Sequence, residues 1–159
     1  MVRRLILCGH AASGKDHMRK MLESKGYSYA TSYTTRPPRA DEDHEKDYRF
    51  ISEVTAQAMI RAGEFYEWVR FNDWIYGTTR AQFMEHDLFI MTPRGLEHLS
   101  PDDRKESLII FIDIAEDIRR ARLANREMPG DSLERRLTAD SMDFHEFKGY
   151  DIRITNADF

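Results

Sequence analysis

Leu5-Ile6-Leu7-Cys8-Gly9-His10-Ala11-Ala12-Ser13-Gly14-Lys15-Asp16 passes from four apolar residues through two glycines to a lysine, and the residues behind it have helical spacing. A strand, a glycine-bounded turn and a helix in that order form a phosphate loop. Gly9 and Gly14 let the backbone turn tightly and aim the N–H groups of Ala11, Ala12, Ser13 and Gly14 at an anion, while the helix N-terminus adds positive potential. Lys15 supplies a movable charge for the outer phosphates. A purely structural turn would account for both glycines but not for Lys15. Asp16 departs from the motif, which normally offers a Ser or Thr hydroxyl to Mg²⁺. A carboxylate is still a hard oxygen ligand, so Asp16 is expected to bind or order the hydrated ion.

Outward from this loop, five short apolar segments read as strands: Leu5 to Cys8, Tyr27 to Thr31, Leu88 to Thr92, Leu108 to Ile112 and Ile152 to Thr155. Apolar runs without polar alternation suit a parallel sheet covered on both faces, so the spacing predicts an α/β fold of three layers with five parallel strands. The first helix is predicted from Gly14 to about Ser24, with Met18, Met21 and Leu22 on one face and Gly26 as its stop. A second follows Ser52 as N-cap and ends near Gly63. Asp131 and Glu134 read as a capping box opening a third through Leu137 and Met142. Residues 32–78 differ, with β-rich pieces at Phe65 to Val69 and Trp74 to Tyr76 around one helix. They read as an insertion into a core made of 1–31 and 79–159.

Composition narrows the function classes. The chain has 159 residues, one cysteine, and 24 Lys and Arg against 28 Asp and Glu, for a net charge of −4. One domain is expected at this length. Cys8 cannot form an internal disulfide, and no secretory leader is visible, so a cytoplasmic protein is expected. Apolar runs of about five residues are far too short to cross a membrane. The acidic balance argues against a general nucleic-acid surface, so any phosphate site must be local. The histidines lack metal-ligand spacing, and Cys8 reads as a buried small side chain. Most of the mixed-charge stretch Asp41 to Lys46 reads as a solvated loop.

Four further pieces follow the loop in order: Ser32-Tyr33-Thr34-Thr35-Arg36-Pro37-Pro38-Arg39, Asp47-Tyr48-Arg49-Phe50, Gly63-Glu64-Phe65-Tyr66-Glu67-Trp68 and Trp74-Ile75-Tyr76-Gly77-Thr78. Together they resemble the guanylate kinases. The resemblance implies a P-loop nucleoside monophosphate kinase that transfers the γ-phosphate of ATP to GMP or dGMP with Mg²⁺, as a monomer or homodimer. It makes residues 32–78 the monophosphate-binding insertion, in which Arg36, Arg39, Tyr48 and Tyr76 hold the acceptor phosphate. The residue chemistry agrees, since guanidinium forks match phosphate and phenols donate without adding charge. Trp68, Phe71 and Trp74 read as framework aromatics.

The resemblance assigns the base to Ser32, Glu67, Thr78 and Thr92. A carboxylate at Glu67 accepts from both N1–H and the exocyclic amine of guanine, which adenine cannot satisfy. Thr92, in Ile90-Met91-Thr92-Pro93-Arg94-Gly95, stands where the family carries an acidic residue, and Asp16 is expected to return a carboxylate to the cleft. Arg126 and Arg136 match arginines of a short lid, about 126–134, and act catalytically with Lys15. Arg119, Arg120 and Arg135 read as a solvated face paired with Glu116 and Glu134. Asn156 matches the family's residue beside the donor adenine. Two other readings stay open: a kinase for another deoxynucleotide or modified purine monophosphate, and a non-catalytic interaction module of the same fold.

Overall fold

A computed structural model describes residues 1–126 and 132–159. Its centre is β1 (Arg4–Gly9), where Ile6, Leu7 and Cys8 are fully buried. β1 pairs in parallel with β6 (Leu88–Ile90) on one side and β7 (Ser107–Ile112) on the other, and β7 pairs with β8 (Ile152–Ile154). The order is β6-β1-β7-β8. Apolar clusters on the two faces, around Phe83, Phe89 and Ile109 and around Leu7, Met18 and Ile112, explain why these strands lack polar alternation.

Among the described residues the sheet has four regular strands rather than the expected five. Tyr27 to Thr31 runs beside β6 but makes one parallel bridge, Tyr29 to Leu88. That bridge rests on the Ala30 N–H donating to the Leu88 carbonyl at 2.9 Å and the Leu88 N–H donating to the Ser28 carbonyl at 3.0 Å, while on either side of it the Ser28 N–H goes to Asp87 Oδ1 and the Thr31 carbonyl accepts from the Gln82 side chain, both at 2.6 Å.

α1 (Lys15–Ser24) starts at Gly14, whose φ of 103° needs glycine; a Cβ there would also meet the Phe159 ring at 2.8 Å. Met18 is buried, but Met21 is exposed and Arg19 is buried in its place. The 3.6-residue period selects the Met18–Leu22 stripe together with the Arg19 stem, and Met21 falls off its edge. Gly26, at φ 100°, stops the helix as expected.

The second sheet, in the order β3-β2-β5-β4, is built from residues 33–79. β2 (Tyr33–Thr34) and β3 (Arg49–Phe50) are two-residue strands, and β4 (Phe65–Phe71) and β5 (Trp74–Thr79) form a hairpin. Asn72 and Asp73 both have positive φ at its tip, the backbone that a tight two-residue turn requires. α2 (Glu53–Arg61) begins at Ser52, whose hydroxyl accepts the Thr55 N–H as expected of an N-cap.

α3 (Arg80–Glu85) leads to β6, and the short α4 (Pro93–Leu96) and α5 (Pro101–Lys105) lead to β7. α6 (Glu116–Ala124) and α7 (Leu133–Asp143) precede β8. α7 opens on Ser132, whose hydroxyl accepts the Arg135 N–H; Asp131 of the expected capping box and most of the expected lid lie outside the described residues. Leu137 is buried and Met142 is exposed. Arg120 pairs with Glu116 and Glu134 as expected. Arg119 does not belong to that solvated face: it is buried and donates to the Ile114 carbonyl. Arg135 pairs with Asp73 of the hairpin tip. No helix among the described residues is long and apolar enough to cross a membrane.

Candidate active site

One cleft lies between the carboxyl ends of the parallel strands and the second sheet, the place where a helix N-terminus and a loop converge in such folds. The phosphate loop contributes Gly9 and Ala11 through Asp16 to its wall. The insertion contributes Ser32, Arg36, Arg39, Tyr48, Glu67 and Tyr76, and Thr92, Arg126 and Arg136 complete it. The two expected phosphate anchors therefore share a single hollow. Thr78 reaches it through Glu67. Asn156 does not line it; its Oδ1 accepts the Asp158 N–H at 2.9 Å and closes a turn.

At the loop, Lys15 Nζ donates to the carbonyls of Gly9 at 2.5 Å and His10 at 2.9 Å. Burial lowers its pKa, and the Asp140 carboxylate opposes that shift. Asp16 stays exposed, with Oδ1 3.4 Å from Arg19 Nε. His10 stacks on Phe144, centroids 4.2 Å apart, and burial with the Arg119 and Lys15 charges lowers its pKa to about 4, so it is neutral near pH 7. Burial raises the Cys8 thiol to about 12, consistent with an inert core side chain.

The arginine pair differs from two open forks. Arg36 donates from both terminal nitrogens to Glu42, at 2.8 and 2.7 Å, in a bidentate ion pair that is itself buried. Burial works against the Arg36 charge, yet Glu42 and the neighbouring phenols hold its pKa above the ordinary value. Glu42 also accepts the Arg39 N–H at 2.8 Å, so it does not belong to the solvated part of the Asp41 to Lys46 loop. Arg39 is more loosely held: its Nη1 stands 3.9 Å from Glu42 Oε2, and its buried Nε has no hydrogen-bond partner. Burial and the nearby Arg36, Arg126 and Arg136 charges depress its pKa. In a chain of net negative charge, these crowded cations around an unsatisfied donor make a local seat suited to an anion. The Tyr48 and Tyr76 rings stand 6.1 Å apart beside Arg36, and burial raises the Tyr48 phenol above its ordinary pKa.

Glu67 lies on the inward register of β4, with Phe65, Val69 and Phe71. A bulge at Tyr66 separates the Phe65–Thr79 and Glu67–Thr78 pairs, and the Thr78 hydroxyl donates to Glu67 Oε1 at 2.8 Å. Burial raises the Glu67 pKa to about 7, although Thr78 partly counteracts it. Gly95 makes room for the other oxygen, because a Cβ there would sit 2.8 Å from Oε2. Thr92 is not a substitute acid: its Oγ1 caps α4 by accepting the Gly95 N–H at 3.1 Å. A threonine suits that cap, with Pro93 in the first turn behind it. Phe71 serves the cleft as well as the framework, with the Arg136 guanidinium 5.6 Å over its ring.

Glu42 and Asp140 are site residues that motif reading missed, as is Arg122, which donates to the Ala12 carbonyl at 2.9 Å. Arg36, Arg39 and Glu42 recur at intervals of three, and Asp140 follows Arg136 by one helical turn, so both spacings were available as signals. The guanylate kinase family model matches residues 1–159. Guanylate kinase of Protochlamydia amoebophila is 32% identical over 96% of this chain and 82% of its own, and guanylate kinase of Sus scrofa is 29% identical over 97% and 84%. The crystal structure of guanylate kinase from Anaplasma phagocytophilum superposes with a TM-score of 0.75 at 22% identity, covering 99% of this chain and 78% of that one. With the family model spanning its full length, the chain belongs to the guanylate kinase family.

Proposed function

We propose that this protein transfers the γ-phosphate of ATP to GMP or dGMP, giving ADP and the nucleoside diphosphate. The observation that carries this reading is the shared cleft, with the phosphate loop on one wall and the unsatisfied, cation-crowded Arg39 on the other. Two anions enter from opposite sides and meet end to end. Lys15, held on the Gly9 and His10 carbonyls, swings to the outer donor phosphates. Arg39 binds the acceptor phosphate while Glu42 fixes the Arg36 fork beside it, and Tyr48 and Tyr76 donate from their phenols. Glu67, Thr78 and Ser32 read the guanine edge. Arg126 and Arg136 screen the charge that spreads over the transferring group, so catalysis is positioning and electrostatics without a covalent intermediate.

Mg²⁺ fits this chain as an ion carried in on the triphosphate. Among the described residues no cluster of three or more His, Cys, Asp or Glu side chains could cage a metal, but Asp16 offers one exposed hard oxygen donor at the cleft wall. Bound there, the ion would neutralise phosphate charge.

The test is ADP release measured with a panel of nucleoside monophosphates, on wild type and Lys15→Met. GMP or dGMP should exceed AMP by about 10⁴ in kcat/KM, because AMP presents an N1 lone pair rather than an N1–H donor to the Glu67 carboxylate. Lys15→Met should lower transfer by about 10³ or more. Absence of transfer with every monophosphate, or an unchanged rate in the variant, would overturn the enzymatic reading in favour of a binding module. Preference for a different base would move the acceptor class.

A further inference from the structure

Helix α7 turns two buried polar side chains toward the cleft, one turn apart: Arg136, 7% exposed, and Asp140, 4% exposed. Arg136 has a place in the transfer just proposed. Asp140 has none, and its position is electrostatically adverse. A carboxylate beside a triphosphate seat repels the ligand, and burial already raises its pKa against the pull of Lys15.

Its contacts show what it holds. Asp140 Oδ2 accepts the Ala11 N–H at 2.8 Å, across 129 residues of chain. Lys15 Nζ donates to the His10 carbonyl at 2.9 Å. The His10 carbonyl and the Ala11 N–H belong to one planar peptide unit, so before nucleotide binds this unit is gripped at both ends, by Lys15 on its oxygen and by α7 on its nitrogen; once Lys15 turns to the phosphates, the Asp140 bond alone holds it. Rotating that plane would break both bonds. The grip reserves the Ala11 N–H for Asp140, while the Ser13 N–H turns back to the His10 carbonyl at 3.2 Å, and it ties the helix bearing Arg136 to the loop bearing Lys15.

We propose that Asp140 is a positioning residue for phosphoryl transfer: by clamping the His10–Ala11 peptide from α7, it registers Arg136 against Lys15 and the donor phosphates. The inference rests on the phosphotransferase reading above. Its charge opposes donor binding, and its hydrogen bond sets the geometry of transfer, so the two effects separate in Asp140→Asn and Asp140→Ala. Asparagine keeps an acceptor oxygen for the Ala11 N–H and removes the charge. Alanine removes both.

The full chain would be assayed for kcat and for KM of each substrate, with ATP affinity measured separately by calorimetry without acceptor. Asp140→Ala should lose about 10- to 100-fold in kcat, as expected for sub-ångström to ångström misplacement of a catalytic group, with the monophosphate KM within about twofold of wild type. Asp140→Asn should restore kcat to within about threefold of wild type and bind ATP at least about threefold more tightly, since a like charge is gone. Wild-type kcat in Asp140→Ala, equal impairment of the two variants, or a loss confined to the monophosphate KM would overturn the proposal. Should the alanine variant not fold, the isosteric asparagine decides alone: a kcat loss beyond tenfold or an unchanged ATP affinity overturns it. If wild type transfers no phosphoryl group, the proposed function fails independently, and calorimetry still reads the clamp. Tighter ATP binding by Asp140→Asn than by Asp140→Ala then supports it, since both lack the charge and only asparagine keeps the bond, and equal affinities of the two variants refute it.

Discussion

Replacing Glu67 with glutamine should make the unliganded protein more stable and the catalyst worse, and pH separates the two effects. Glu67 is buried on the inner face of β4, where burial raises its pKa from 4.5 to about 7. The native state thus holds a proton that the unfolded chain releases, so folding stability falls as pH rises between those two values. Below pH 4.5 both states are protonated and there is no penalty. Above about pH 7 the full penalty applies, and a shift of that size corresponds to about 3 kcal/mol. Glutamine carries no charge yet still offers an oxygen to the Thr78 hydroxyl, which donates to Glu67 Oε1 at 2.8 Å in wild type. Urea unfolding followed by tryptophan fluorescence at pH 4.5, 6, 7 and 8 measures the difference between the two proteins. Other groups raised by burial, Asp140 and Asp143 among them, are common to both and cancel. The difference should be near zero at pH 4.5 and grow to about 3 kcal/mol in favour of glutamine at pH 8. A pH-independent difference, or a variant less stable at pH 8, would refute the reasoning. Bound guanine reverses the preference, because its N1–H and amine favour the ionised carboxylate. Wild-type affinity for GMP should therefore rise with pH until Glu67 is ionised, by up to about tenfold per unit, while the glutamine variant binds weakly and without that dependence.

Two substitutions separate the base pocket from the scaffold. Gly95→Ala places a methyl 2.8 Å from Glu67 Oε2, with Thr92 Oγ1 at 3.4 Å behind it, so the monophosphate KM should rise about tenfold while the ATP KM is unchanged; equal KM values would show that Glu67 does not face the base. Tyr66→Phe removes a hydroxyl that donates to Asp103 Oδ2 at 2.6 Å but leaves the ring stacked on Phe83, outside the cleft. Urea unfolding should show a loss of about 1 to 2 kcal/mol with kcat unchanged, and an activity loss at constant stability would contradict a purely structural role.

Local chemistry made much of the protein legible in advance. The run from Leu5 to Asp16 specifies strand, phosphate loop and helix because apolar continuity, glycine freedom and helix-end polarity act over a few residues. Ser52 and Gly26 mark helix ends for the same reason. Even the burial of Glu67 was implicit in its two-residue spacing from Phe65 and Val69, although period alone does not say which face of a strand meets a core. What pairs with what was decided at longer range. Tyr27 to Thr31 has strand composition, yet it bridges β6 only at Tyr29, and the Gln82 side chain takes the Thr31 carbonyl. Met21, expected on the buried face, is exposed and Arg19 is buried, because the burying surface belongs to other parts of the chain. Thr92, on the cleft wall, also caps a helix through its Oγ1, and Glu42 leaves a polar loop to fill the Arg36 fork. Short-range order follows from residue type because its partners are sequence neighbours. A buried charge finds its partner only when folding brings distant groups within hydrogen-bond reach, and the clamp between Asp140 and Ala11 could be seen only there.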